Sequence, residues 1–258
     1  MVNIARKQAL DLSQSLLMAL VGVGVWEALC DYADIPVWLL PAPSAIWNAT
    51  AALGPVLPRH IWATFEGVVG GFLLAVVAAV PIAIGIVYSP VVRKLLYFPL
   101  LMLQSVPKVA IAPLLLIWIG YGMTSNIVIA ATTAFFPIII TTSNGLQNVD
   151  EDLLDLTRSY GSGAMKVFWK VRLPWSMPYF FSSLKVAITF AVIGAVVAEF
   201  IGSDRGLGYL ILTSSGTMNT AAMFGVLLIL SVLGIVCFYA VVFAERILCP
   251  WYTATELT

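Results

Sequence analysis

Two sets of residues in this chain have the types and spacing to do chemistry. The first is a polar, basic island in otherwise apolar sequence: Asp155, Leu156, Thr157, Arg158, Tyr160 and Gly161, then Lys166 and Lys170, then Val171, Leu173 and Pro174. A polar island of this kind in apolar sequence suggests a grip by something outside the membrane. The second set lies inside apolar runs: Gln104, Lys108, Lys185 and Glu199. A charge in such a place is costly, so a functional role is the first hypothesis. Lys108 follows Pro107, where a cation can meet an anionic substrate, a carboxylate such as Glu199, or a freed backbone carbonyl. Glu199 reads as part of an outer gate or as a structural hydrogen-bonding group. Lys185 reads as a cation that snorkels to the cytoplasm. His60 is the only histidine, and it reads as an interfacial loop residue. No histidine–carboxylate set therefore lies within the apolar runs, which argues against a membrane enzyme. The chain also lacks a Gly-x-x-x-x-Gly-Lys-[Ser/Thr] phosphate loop, so ATP hydrolysis has no seat here.

The elements that position these residues follow from composition. The chain has 258 residues, 61% hydrophobic and 10% charged, with mean hydropathy +0.99. A soluble domain is about half apolar and about a quarter charged, so the expectation is an integral, all-α membrane protein. A barrel would show ~10-residue alternating segments instead. Formal charge is zero, which gives nucleic acid no handle. Cys30, Cys237 and Cys249 lack ligand spacing, which points to ordinary apolar helix residues and no metal. The run after Arg6 and Lys7 has no small-residue cleavage site and reads as a retained first span.

A span needs ~20 apolar residues, and six segments qualify: 13–29, 64–88, 95–119, 126–142, 180–201 and 221–243. The third contains Pro99, Pro107 and Pro113, so it should be bent and shielded within a bundle. With the N-terminus inside, Arg6, Lys7, Arg93, Lys94, Arg158, Lys166, Lys170, Arg172 and Arg246 fall on the cytoplasmic side, whereas Arg59 and Arg205 fall outside. The segment 30–62 reads as a structured outer loop with Trp38 and Trp47 at headgroup level. Gly67, Gly70 and Gly71 suit close helix packing.

The island itself reads as two short helices. Asp150, Glu151 and Asp152 suit a helix start and Arg158 a helix end. Gly161 sits where a left-handed cap stops the first helix, Ser162 can cap the second, and Pro174 blocks simple continuation into the next span. Leu153, Leu156 and Tyr160 share one face. On residues alone, a protein-docking element and an amphipathic loop resting on lipid headgroups fit equally well.

The spacing resembles the EAA loop of ABC-importer permeases, whose pattern is Glu-Ala-Ala, three residues, Gly, nine residues, Ile-x-Leu-Pro. Asp155-Leu156-Thr157, Gly161 and Val171-x-Leu173-Pro174 stand in those places. The triplet departs at all three residues. Pro113 to Gly122, Phe136-Pro137, Ala198-Glu199 and Gly206-Leu207-Gly208 look like the subgroup that imports nitrate, sulfonates, taurine, bicarbonate, and pyrimidine or flavin precursors. Pro107-Lys108-Val109-Ala110 leans toward the pyrimidine- or riboflavin-precursor branch.

This resemblance implies a type I importer permease fold: one domain of six transmembrane helices in the bacterial inner membrane, both termini cytoplasmic, with coupling helices at about 150–173. It implies that Leu156, Thr157, Tyr160 and Gly161 form the core docked to the ATPase, with Asp155, Arg158 and Lys166 as orienting contacts. Gln104, Lys108 and Glu199 would belong to the pathway or its gate, and Gly206, Leu207 and Gly208 to the binding-protein docking surface. The implied partners are two ATPase subunits, a second, identical permease, and a periplasmic or lipid-anchored solute-binding protein. ATP and Mg would reside on the ATPase and no cofactor on this chain. The competing reading is an ion-coupled secondary transporter for a small organic anion, which calls for clustered mid-membrane acids.

Overall fold

A computed structural model describes residues 2–252, apart from the side chains at 2–13, 15, 16, 97 and 101. The side chains of Arg6 and Lys7, which weigh in the charge asymmetry, and the terminal residues Met1 and 253–258 lie outside that description. Every regular element among the described residues is helical: α1 (Val2–Tyr32), α2 (Pro43–Ala52), α3 (Leu57–Tyr88), α4 (Pro90–Ser105), α5 (Lys108–Ile119), α6 (Met123–Gln147), α7 (Glu151–Ser159), α8 (Ala164–Val167), α9 (Leu173–Gly202), α10 (Leu207–Gly216) and α11 (Thr220–Leu248). A π-helical turn, Phe168–Arg172, joins α8 to α9.

Four helical runs are long and apolar enough to cross a membrane: α3, α6, the continuous run Ala164–Gly202, and α11. A fifth arises if α4 and α5, bent by 102°, count as one span. The break falls at Val106-Pro107. Pro107 lacks an N–H, and its ring pushes Val106 out of the helical region to φ −73°, ψ 129°. Pro99 and Pro113 are carried inside α4 and α5. The expected first span, 13–29, falls within α1, part of whose side chains lie outside the described residues.

The described chain forms two compact units, residues 2–58 with 210–229 and residues 59–209 with 230–252. In the first, Glu27 on α1 accepts hydrogen bonds from the Ser44 backbone N–H at 3.0 Å and its hydroxyl at 2.5 Å. This carboxylate supplies the acceptor that the start of α2 needs, since Ala42 provides no side-chain cap. Trp38 and Trp47 are exposed, and Thr220 donates to the Trp38 carbonyl at 3.0 Å.

The core of the second unit is built from small residues on α3, α6 and α9, among them Ala75, Ala79, Ala130, Ala134, Ala187, Ala191 and Ala195. Small side chains let helix backbones approach closely, the packing that works where lipid offers no hydrophobic drive. Gly71 is the tightest of the three expected packing glycines, because a Cβ there would run into the Ala130 Cβ as well as lie 2.9 Å from the Ile127 carbonyl oxygen. Lys185, expected to snorkel, has a partner within the protein. It forms a 3.0 Å ion pair with Glu245 on α11, since a carboxylate within reach satisfies the ammonium without the helix having to expose it.

Candidate functional site

The polar island folds as an ordered helix pair. Asp150 opens α7, its carboxylate accepting from the Asp152 N–H at 2.9 Å, and Arg158 occupies the last turn. Gly161 then takes φ +61°, a left-handed conformation that favours glycine. The Ser162 N–H reaches the Thr157 carbonyl at 3.2 Å and the Gly161 N–H reaches that of Arg158 at 2.9 Å, the paired bonds of a Schellman turn.

Two local expectations give way here. The second helix begins at Ala164, so Gly163, not Ser162, holds the N-cap position and no side chain caps it. Pro174 does not interrupt the chain either. The Leu173 N–H bonds back to the Phe168 carbonyl, five residues away, and this widened turn accommodates a proline whose ring would clash in a regular one.

The back of the pair is fastened to the bundle. Arg172 donates to the Leu146 carbonyl at 2.8 Å and the Trp175 indole N–H to the Asn148 carbonyl at 3.0 Å. Both acceptors lie at the end of α6, where helical carbonyls lack intrahelical partners. The Arg172 guanidinium also sits 5.8 Å from the Tyr88 ring centroid, and Phe168 packs edge-on to Tyr88 at 5.7 Å.

The front of the pair is uncovered. Leu156 is 53% exposed, Tyr160 79%, Met165 71% and Trp169 61%. Asp155, Arg158, Gly161 and Lys166 are exposed with them, whereas Thr157 is half-buried and its hydroxyl donates to the Leu154 carbonyl at 2.7 Å. Asp155 and Arg158 pair with each other at 2.8 Å in solvent, a contact worth ~0–1 kcal/mol. All seven predicted coupling residues therefore share one short loop. Sequence reasoning missed Met165 and Trp169 as outward-facing groups and Trp175 as an anchor; an exposed tryptophan between two lysine-bearing turns is the signal that was available.

The pathway candidates separate. Gln104 is exposed on α4. Lys108, at the start of α5, places its ammonium 5.1 Å from the Phe136 ring centroid, a cation–π contact. Glu199 is 1% exposed and faces a different set of groups. It accepts from the Thr64 hydroxyl at 2.7 Å and from the Gly208 N–H at 2.6 Å. Thr64 in turn accepts from the Leu207 N–H at 2.7 Å. His60 Nδ1 accepts from the Gly206 N–H at 3.0 Å, with its ring stacked on Tyr209 at 5.9 Å.

Three successive N–H groups at the start of α10 are thus held by side chains from α3 and α9. They are the orphan donors of a helix start, and the carboxylate sits at the positive end of the dipole. Gly206, at φ +118°, is glycine for a second reason: a Cβ there would fall within the Glu199 carboxylate. Gly206, Leu207 and Gly208 are all buried, so they position α10 and present no side-chain surface of their own. Thr64 and His60 escaped sequence reasoning as partners, since nothing local marks them.

The profile of the family described as "Binding-protein-dependent transport system inner membrane component" matches residues 68–253. A probable ABC transporter permease protein of Haemophilus influenzae is 32% identical, with 89% of this chain and 94% of the relative covered. The formylaminopyrimidine transport permease protein ThiX of Halalkalibacterium halodurans is 31% identical, covering 95% and 96%. The riboflavin transport system permease protein RibX of Chloroflexus aurantiacus is 29% identical, covering 94% and 90%. Among solved structures, an inward-facing form of the MetNI methionine ABC transporter matches with TM-score 0.66 at 20% identity, covering 76% of this chain and 97% of that one.

Proposed function

This chain belongs to the family of binding-protein-dependent transport system inner membrane components, and from that membership we propose how its geometry serves import. It is a multi-pass inner-membrane permease subunit of an ABC importer for a small solute. It works with an ATPase and a solute-binding protein; two ATPases and a second, identical permease complete the assembly we propose. ATP and Mg bind on the ATPase, and this chain carries out no hydrolysis. Six spans with both termini in the cytoplasm place the α7–α8 pair on the ATPase side. The names of two relatives favour a pyrimidine- or flavin-precursor as cargo.

In this reading α7 and α8 seat in a groove of the ATPase, with Leu156, Tyr160, Met165 and Trp169 as the apolar contact and Asp155, Arg158 and Lys166 orienting it. The observation that carries the reading is the contrast between the two faces of the pair: outward apolar groups uncovered, inward groups bolted to α6 through Arg172 and Trp175. A push on the front is then delivered to the bundle as rigid-body motion. At the far end, α10, fixed by Glu199, Thr64 and His60, supplies the binding-protein docking element. Gly161→Arg tests the proposal. It demands a left-handed arginine on the exposed face, so the permease should still insert but no longer co-purify with its ATPase, or should leave ATP hydrolysis uncoupled from transport. Normal transport by that variant would overturn the assignment.

A further inference from the structure

At the end of the bundle that carries α7, the ends of α3 and α6 and α4 line a cleft of about 210 Å³ that opens to the surface at Arg93 and Asn144, both exposed. Three other cavities, around Trp175, around Phe168 and between α9 and α11, carry no charged side chain in their walls. This one is amphipathic. Ile86 and Ile139 belong to its apolar wall, and Arg93, Ser143, Asn144 and Gln147 supply the polar side. Asn144 and Gln147 are three residues apart on the last turns of α6, so both carboxamides project from one face. The Ser143 hydroxyl donates to the Ile140 carbonyl at 3.0 Å, so its one donor is spent within α6 and the donors left to the cleft are those of Arg93, Asn144 and Gln147. Among the described residues no ion pair or side-chain hydrogen bond uses the Arg93 guanidinium or either carboxamide. No acid lines the space.

We propose that this cleft binds an organic anion: a phosphate, sulfonate or carboxylate head against Arg93, Asn144 and Gln147, with a short apolar body against Ile86 and Ile139. A guanidinium holds its charge at every physiological pH and offers a fork matched to two oxygens. The carboxamide N–H groups can add donors to it, and the guanidinium charge repels a cation. The volume equals roughly seven waters at ~30 Å³ each, room for such a head and a few carbons. The same chemistry is offered by a soluble organic anion and by the headgroup of an anionic phospholipid. The site stands independently of the coupling role of α7 and α8.

The test uses the full chain purified with its ATPase in uncharged detergent, with thermal unfolding followed by tryptophan fluorescence. Hexanesulfonate is titrated against hexyltrimethylammonium, which has the same tail and the opposite charge, and phosphatidylglycerol against phosphatidylcholine. Saturable stabilisation by hexanesulfonate alone identifies a soluble anion. Stabilisation by phosphatidylglycerol alone, or by both anions, identifies a headgroup site. In every case Arg93→Gln should weaken apparent affinity ~10-fold, the loss expected for one charge-assisted contact. Asn144→Leu should weaken it too, and decides the matter if Arg93→Gln does not fold. Equal stabilisation by the cation, no stabilisation by either anion, or undiminished affinity in the variant that folds would overturn the proposal.

Discussion

Replacing Thr64 with valine should unlatch the start of α10. The two side chains have nearly the same shape, so the change isolates one hydroxyl. Thr64 is fully buried, and that hydroxyl does two things: it donates to Glu199 at 2.7 Å and accepts from the Leu207 N–H at 2.7 Å. Valine leaves a buried N–H without an acceptor, which costs about 1–3 kcal/mol, and deprives a buried carboxyl group of a donor, which costs a further ~1–2 kcal/mol. The sum, ~2–5 kcal/mol, corresponds to a fall in unfolding temperature on the order of 6–15 °C for a chain of this size. Thr64→Ser keeps both bonds and loses one methyl, so it should cost ~1 kcal/mol. Thermal unfolding of the three proteins in one detergent, with amide exchange at 207–208, reads both effects. If Thr64→Val unfolds within about 1 °C of the parent, or if serine is as damaging as valine, the hydroxyl does not hold α10 and the clamp is misread.

Two further outcomes follow from particular contacts. Lys185→Met should cost about 3 kcal/mol, because it strands the 7%-exposed Glu245 without its cation; Lys185→Met with Glu245→Gln should recover most of that loss, and a double variant no better than the single refutes the pairing. Arg172→Ala removes the bond to the Leu146 carbonyl and the guanidinium over Tyr88. It should loosen the back of the helix pair and reduce transport more than ATPase co-purification, so loss of both in equal measure argues that Arg172 belongs to the docking contact itself.

What could be read from the chain divides by the range of the interaction. A bend in the third span was legible because a proline and the residue before it restrict the backbone, but which of Pro99, Pro107 and Pro113 would carry it was not, since Pro99 and Pro113 sit inside helices. Gly161 was legible for the same reason: a left-handed helix stop needs glycine locally. The partners of Glu199 were not, since Thr64 lies 135 positions away and carries no pattern. Lys185 misled in the same manner, because Glu245 is 60 positions distant and snorkelling needs no partner to be named. Pro174 misled differently: local chemistry forbids a regular turn, yet a π-helical turn evades the clash, and sequence marks only the obstacle.

The two candidate sites are joined by one element, and this sets a last test. The run Ala164–Gly202 holds 39 residues without a break, about 58 Å at 1.5 Å per residue. One end carries the exposed Met165 and Trp169, and the other carries Glu199 with α10 in its grip. If this rod is stiff, force applied by an ATPase at α8 reaches the start of α10 as displacement. Pro178, inside α9, is where it would flex, since the proline leaves the carbonyl four residues earlier without its helical donor. Spin labels at Lys170 and Ile201, both exposed, bracket that proline at ~47 Å along the axis. Pulsed electron–electron resonance on the full importer should give one narrow distance, unchanged within about 2 Å with and without trapped ATP, as expected of a rod whose rise is fixed at ~1.5 Å per residue. A distance that shortens by several ångströms on trapping would mean that α9 hinges at Pro178. The α8 end and the α10 end would then move independently, and a push at α8 would not reach the clamp at Glu199 through α9.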